Sequence, residues 1–244
     1  MSTLNEYTCQ LSTEEKAYMA ANLNETDETR PIKIAEIRQW ITENEDLHAP
    51  TDDFFILRFL RACKFNIEKT KSKLWNYYKQ RANLPEWYSN RDPFLPELQE
   101  LFDLGVFLPL RKLDNEGRMV VIIRAAAHSP NRHKMSDMLK ASLMILDLAL
   151  RNHESVTIHG ITAILDISGI TYESFMTTKL KQRVHVHARD KLKLYETLPV
   201  NMLPKEYGGM NGTVKELSEY WKRMVIENGE WFAEQEKYKL TLIK

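Results

Sequence analysis

Cysteine is nearly absent from the 244-residue chain: only Cys9 and Cys63 occur. Two thiols so far apart supply neither a disulfide framework nor a four-ligand zinc site, so a reducing, intracellular setting is expected. The eight glycines are scattered. None completes GxGxxG, GxxxxGK[ST] or GxSxG, which removes the usual dinucleotide, P-loop and hydrolase signatures. Charge of one sign is lacking too, with 34 Lys and Arg against 34 Asp and Glu. No global field therefore draws the chain to nucleic acid or membrane, and electrostatic targeting has to be local. Long apolar runs are missing: LMILDLAL, the best candidate, is broken by Asp147 and falls far short of the ~20 residues a membrane span needs. The N-terminus MSTLNEYTCQLSTEEK has no basic-then-apolar signal layout. A soluble, cytoplasmic protein is expected.

The first part of the chain reads as helices alone. Ser12 and Glu15 make a capping-box pattern. Pro31 opens IKIAEIRQWI, with Ile34, Ile37 and Ile41 at helical spacing. Thr51-Asp52-Asp53 caps FFILRFLRACKF, and Asn66 starts a helix through Leu74, Tyr77, Tyr78 and Arg81. The turn-rich LPEWYSNRDPFLPE ends this block, so a helical domain over 1–95 and a second domain over 96–244 are expected.

The second part mixes strands and helices. GVFLPLRKLD and RMVVIIRAA flank Asp114-Asn115-Glu116-Gly117 as a β-hairpin. Ser136-Asp137 caps MLKASLMILDLALRNH, with Leu139, Leu143, Leu146 and Leu150 in one stripe. HGITAILDISG is a strand that puts Ile161, Ala163, Leu165 and Ile167 on one face. RVHVH reads as a last strand, 190–197 as a short helix, and Thr213 to past Trp231 as a C-terminal helix. Together these spell an α/β fold, a mainly parallel sheet behind an all-helical N-terminal domain.

Few residues invite chemistry. Asp166 ends a buried strand, where it either serves catalysis or caps the next turn, and the capping role is the ordinary one. His185 and His187 share a strand face, but no third metal ligand accompanies them. His128 and His133 sit in the polar loop AHSPNRHK and are expected to be solvated. No catalytic residue, metal or cofactor is expected. The sharper feature is basic: Lys179, Lys181, Arg183, Arg189, Lys191 and Lys193 crowd a segment whose only acid is Asp190. Such a cluster is either a solvated face or a site for phosphates and anionic lipid head groups.

DDFFILRFLRACKFNIEKTKSKLWNYYKQR resembles the helical N-terminal signature of the CRAL-TRIO lipid-exchange family. HGITAILDISGI, KLKQRVHVH and LPKEYGG resemble later landmarks of its lipid-binding domain, in the right order. Within that family the chain resembles the tocopherol transfer protein and retinaldehyde-binding protein branch. The resemblance implies a carrier of a hydrophobic small molecule between membranes, with no covalent chemistry, probing membranes transiently as a monomer. By position it implies a lipid pocket walled by Ile123, Leu139, Ser142, Leu146, Ile161, Leu165 and Ile170. It further implies a phosphoinositide cleft at Lys179, Lys181 and Arg183, in which one family arginine is replaced by Cys63, with Lys64 adjacent.

One departure stands out. In the family, a helix, a strand and most of a lid helix separate the ILDISGIT-type strand from KLKQRVHVH. Here Gly169-Ile170-Thr171-Tyr172 runs almost directly into Phe175-Met176. Ordinary element lengths make the difference roughly 40–50 residues. A shortened form is implied, either a lipid carrier with an altered pocket or a lipid-free interaction protein that keeps the surface.

Overall fold

The computed structural model describes residues 7–129, 131–169, 195 and 198–241. Two compact units emerge: Met1–Asn90 with Glu230–Lys244, and Arg91–Gly229.

The first unit is built on four helices, α1 (Thr13–Leu23), α2 (Thr29–Glu43), α3 (Asp53–Ala62) and α4 (Ile67–Asn83), followed by the short α5 (Pro85–Tyr88). Their starts are written in side chains. Ser12 and Glu15 exchange capping bonds, Asp52 accepts the Phe55 amide and Asn66 accepts the Lys69 amide. Ile34, Ile37, Ile56, Leu57, Leu60 and Leu74 then form one apolar core. α3 stops where Lys64 and Phe65 turn left-handed at φ 51° and 57°. Burial of the Phe65 ring and its amide bond to the Leu60 carbonyl (2.8 Å) offset that unusual backbone. The C-terminal segment completes this unit: β5 (Lys239–Leu240) pairs antiparallel with β1 (Leu47–His48), and Leu240 joins the core.

A buried ion cluster ties the same helices together. Glu25 accepts two hydrogen bonds from Arg61, at 2.8 and 3.0 Å, and one from Arg30 at 2.6 Å. Arg30 also bonds Asp27, and both guanidiniums lie 5.7 Å from the Tyr7 ring centroid. Pairing lets charges with almost no solvent contact persist inside a small helical core.

In the second unit, α6 (Pro96–Leu104) ends at Gly105, φ 62°, where a Cβ would come 2.2 Å from Ser218 Oγ. β2 (Phe107–Leu113) and β3 (Met119–Arg124) form the expected hairpin. Asp114 fastens its turn, accepting the Glu116 and Arg118 amides and the Arg118 side chain. An irregularity between Pro109 and Leu113 leaves the Pro109 carbonyl to the Trp221 indole N–H, 2.7 Å away. After α7 (Met135–Asn152) and α8 (Glu154–His159), β4 (Ile161–Asp166) pairs parallel to β3. Among the described residues the sheet is thus mixed, in the order β2-β3-β4.

Two boundaries differ from expectation. α7 starts at Met135, one turn before the position Ser136-Asp137 would set, which leaves Asp137 in the first turn, where a carboxylate suits the helix dipole. The C-terminal helix is two pieces, α9 (Val214–Glu227) and α10 (Gly229–Gln235), separated at Asn228. Gly229 packs beside Pro93, a place where a Cβ would be tight. The expected RVHVH strand and the 190–197 helix lie outside the described residues, save Tyr195.

Candidate functional site

Register places three of the expected wall residues on one sheet face. Ile123 of β3 is opposite Leu165 of β4, and Met119 is opposite Ile161. Side chains alternate along a strand, so Val121 and Ala163 complete this face. Its β3 half is covered, with Met119 and Val121 buried and Ile123 partly so. Its β4 half is open: Ile161 is 43% exposed, Leu165 37% and Ile167 36%. Three large apolar side chains exposed in a row contrast with Leu108, Leu110, Val120 and Ile122, which are buried in the neighbouring strands; there only Leu113, at the end of β2, is as exposed.

On α7, Leu139, Ser142 and Leu146 recur at helical spacing and are half-buried, with Leu143 and Leu150 in the same stripe. The helix core is carried by a neighbouring stripe of Ala141, Met144, Ile145 and Leu148. α7 therefore has more apolar surface than its packing uses. Ser142 Oγ donates to the Met138 carbonyl at 2.8 Å, which satisfies the hydroxyl proton within the helix and leaves its lone pairs. Ile170, Lys179, Lys181 and Arg183 lie outside the described residues, as do His185 and His187. Cys63 is a buried residue that ends α3. A small hollow in the second unit is lined by Leu110, Arg111, Asn211, Thr213, Glu216 and Leu217, none of them an expected wall residue.

At the carboxyl ends of the parallel strands, Asp166 takes up the capping role. Its Oδ1 accepts the Ser168 amide at 2.9 Å, and its Oδ2 accepts the Tyr207 hydroxyl at 2.5 Å. Burial alone would raise the carboxyl's pKa, but these hydrogen bonds outweigh it and hold it below the ordinary range. Tyr207 is shifted upward by burial and by the carboxylate it faces. The pair pins the KEYGG turn to β4. Asp166 shares its face with Thr162 and Ile164, opposite to that of Ile161 and Leu165, so it is a fastening outside the apolar wall.

Three features escaped the sequence reading. Tyr207 sits in a recognised motif but carries no local sign of its partner. His133, expected in solvent, is 8% exposed, and its Nδ1 accepts the Ser129 amide at 3.0 Å while Glu100 lies 3.3 Å from Nε2. The Glu25 cluster joins residues too far apart in sequence to show a spacing. Among the described residues no group of His, Cys, Asp and Glu could hold a metal ion, and no helix is long and apolar enough to cross a membrane.

Residues 105–176 match the CRAL/TRIO domain family and residues 26–98 match the family described as Pinta-like, UBA domain. The chain is 24% identical over 275 aligned residues to the alpha-tocopherol transfer protein-like protein of Mus musculus, covering 94% of this chain and 79% of that protein. Its Homo sapiens counterpart is 23% identical with the same coverage. Clavesin-2 of Rattus norvegicus is 25% identical over 234 residues, covering 77% of this chain and 71% of that protein. In the first alignment 94% of 244 residues is roughly 229, so about 46 of the 275 positions stand opposite no residue of this chain. With clavesin-2, 77% is roughly 188 of 234 positions, and about 46 again remain.

Proposed function

From the match of residues 105–176 to the CRAL/TRIO domain family and the similarity to an alpha-tocopherol transfer protein-like protein, we propose the carriage of one tocopherol- or retinoid-like molecule between membranes, without covalent chemistry. The observation that supports this reading is the apolar β4 face, on which exposed Leu165 stands in register with Ile123 and exposed Ile161 with Met119. A hydrophobic ligand recovers the burial that these side chains lack, at ~25 cal/mol per Å² of covered apolar surface. Ser142 on α7 offers lone pairs for a ligand hydroxyl. The bound lipid is the only small-molecule partner, and phosphoinositide in the target membrane is met by Lys179, Lys181 and Arg183. The carrier works as a monomer in the cytoplasm and touches membranes transiently.

Organic extraction of the protein purified from cells tests the reading. Near-stoichiometric lipid in the extract is expected, and a stable, folded protein with none refutes it. Vesicle co-sedimentation with and without phosphoinositide tests the cleft, since Lys179→Ala with Arg183→Ala should remove the phosphoinositide-dependent part.

A second reading has its own support. Both alignments leave about 46 positions unfilled, and the CRAL/TRIO match ends at 176, just past the Tyr172–Phe175 join. A shortened form that keeps the scaffold but encloses no lipid would act as an interaction protein. The extraction separates the two readings directly.

A further inference from the structure

α4 carries a feature unlike the other helices. From Lys69 to Asn83 its sequence KTKSKLWNYYKQRAN contains no acid at all. Lys71 reaches back to Glu68 (3.1 Å), and the Arg81 guanidinium lies over the Tyr77 and Tyr88 rings, 4.4 and 4.7 Å from their centroids. Lys69, Lys73 and Lys79 are all exposed, and among the described residues no acid pairs with any of them. At 100° per residue these three fall within one third of the helix circumference. They share that arc with the exposed Ser72, Asn76, Gln80 and Asn83. Lys64, exposed on the preceding turn, adds a fourth charge close to the helix start.

Lysines elsewhere divide: Lys112, Lys134, Lys205 and Lys239 are exposed with no ion pair among the described residues, whereas five others are matched. Lys16 pairs with Asp27, Lys33 with Glu36, Lys215 with Glu219, Lys222 with Asp103 and Lys237 with Glu234. Lys69 and Lys73 are like charges at i, i+4, an arrangement that is unfavourable in an isolated helix. The arc is polar, with Ser72, Asn76, Gln80 and Asn83 among the ammonium groups and no large apolar side chain.

We propose that this face of α4 docks the protein on bilayers rich in acidic phospholipid. A row of ammonium groups on a polar helix face matches a plane of diffuse negative charge. It lacks the forked arginines that a single phosphate or a base edge would call for. The attraction is long-ranged, is screened over ~10 Å at 0.1 M salt, and needs neither an enclosed lipid nor the 179–183 segment.

The experiment is co-sedimentation with phosphatidylcholine vesicles made with and without phosphatidylserine, free of phosphoinositide, at low and high salt. Each Lys→Gln change should weaken binding to the acidic vesicles roughly fivefold, and K69Q/K73Q/K79Q together about a hundredfold at low salt. A control, K33Q/K215Q/K237Q, removes the same charge from ion-paired lysines and should retain wild-type binding; circular dichroism checks that both variants fold. Equal loss in the control, an unaffected α4 triple variant, or wild-type protein that ignores phosphatidylserine would each overturn the assignment. So would a wild-type preference for single-stranded RNA over the acidic vesicles. Lipid content measured on the same preparations keeps this outcome apart from that of the carrier reading.

Discussion

Glu25 is 1% exposed and faces two guanidiniums, so its charge is neutralised locally rather than by water. Replacing it with Gln would leave Arg61 buried without a counter-charge, a change that typically costs about 3–5 kcal/mol. A urea midpoint falling by a correspondingly large step is expected for Glu25→Gln; a shift no larger than that of a surface substitution would show that the cluster relaxes into solvent. Tyr207 and Asp166 supply a gentler case. Tyr207→Phe removes a hydrogen bond to a carboxylate and should cost about 1.5–3 kcal/mol. The sign with pH follows from the depressed carboxyl: its folded value lies below the unfolded one, so its contribution is present above the unfolded pKa and lost as pH falls through the folded value. Wild type and Tyr207→Phe should therefore differ most near neutral pH and converge in acid, as denaturation midpoints across that range will report.

At the scale of elements, starts and turns are held by bonds that span three or four residues. Ser12, Asp52, Asn66, Asp114 and Thr213 each announce their role in the sequence, because the partner amide is only a few positions away. Thr213→Ala breaks the capping box with Glu216 and should cost about 1 kcal/mol, read from thermal melts. The α7 start was misplaced because Ser136 and Asp137 suit a first turn as well as a cap, and composition cannot separate the two. β4 shows a different limit. Its alternation was legible, but whether the Ile161 face is covered depends on chain segments elsewhere. That distinction is measurable: Ile161→Ser with Leu165→Ser should cost little stability, since both side chains are already half in water, yet should sharply lower co-extracted lipid. A stability loss like that of a core truncation, ~2–5 kcal/mol, would mean the face is packed in solution.

Over the whole molecule, the most distant partnerships were the least legible. Leu240 pairs with Leu47 across nearly the entire chain, and a two-residue strand leaves no periodic trace. The unit Met1–Asn90 is consequently finished by residues 230–244, among them the fully buried Phe232. Ending the chain after Gly229 should lower the stability of that unit by several kcal/mol, visible as earlier proteolysis within α2–α4. The family landmarks were legible because their order survives, and both alignments leave about 46 positions opposite no residue of this chain. That deficit permits a direct trial. Inserting the corresponding segment of the Mus musculus relative between Tyr172 and Phe175 should raise the co-extracted lipid per protein. It should also reduce binding of a dye that reports exposed apolar surface, because the β4 face gains a cover. Unchanged lipid and dye in a folded insertion variant would place the missing positions elsewhere and leave the open face as this chain's own working surface.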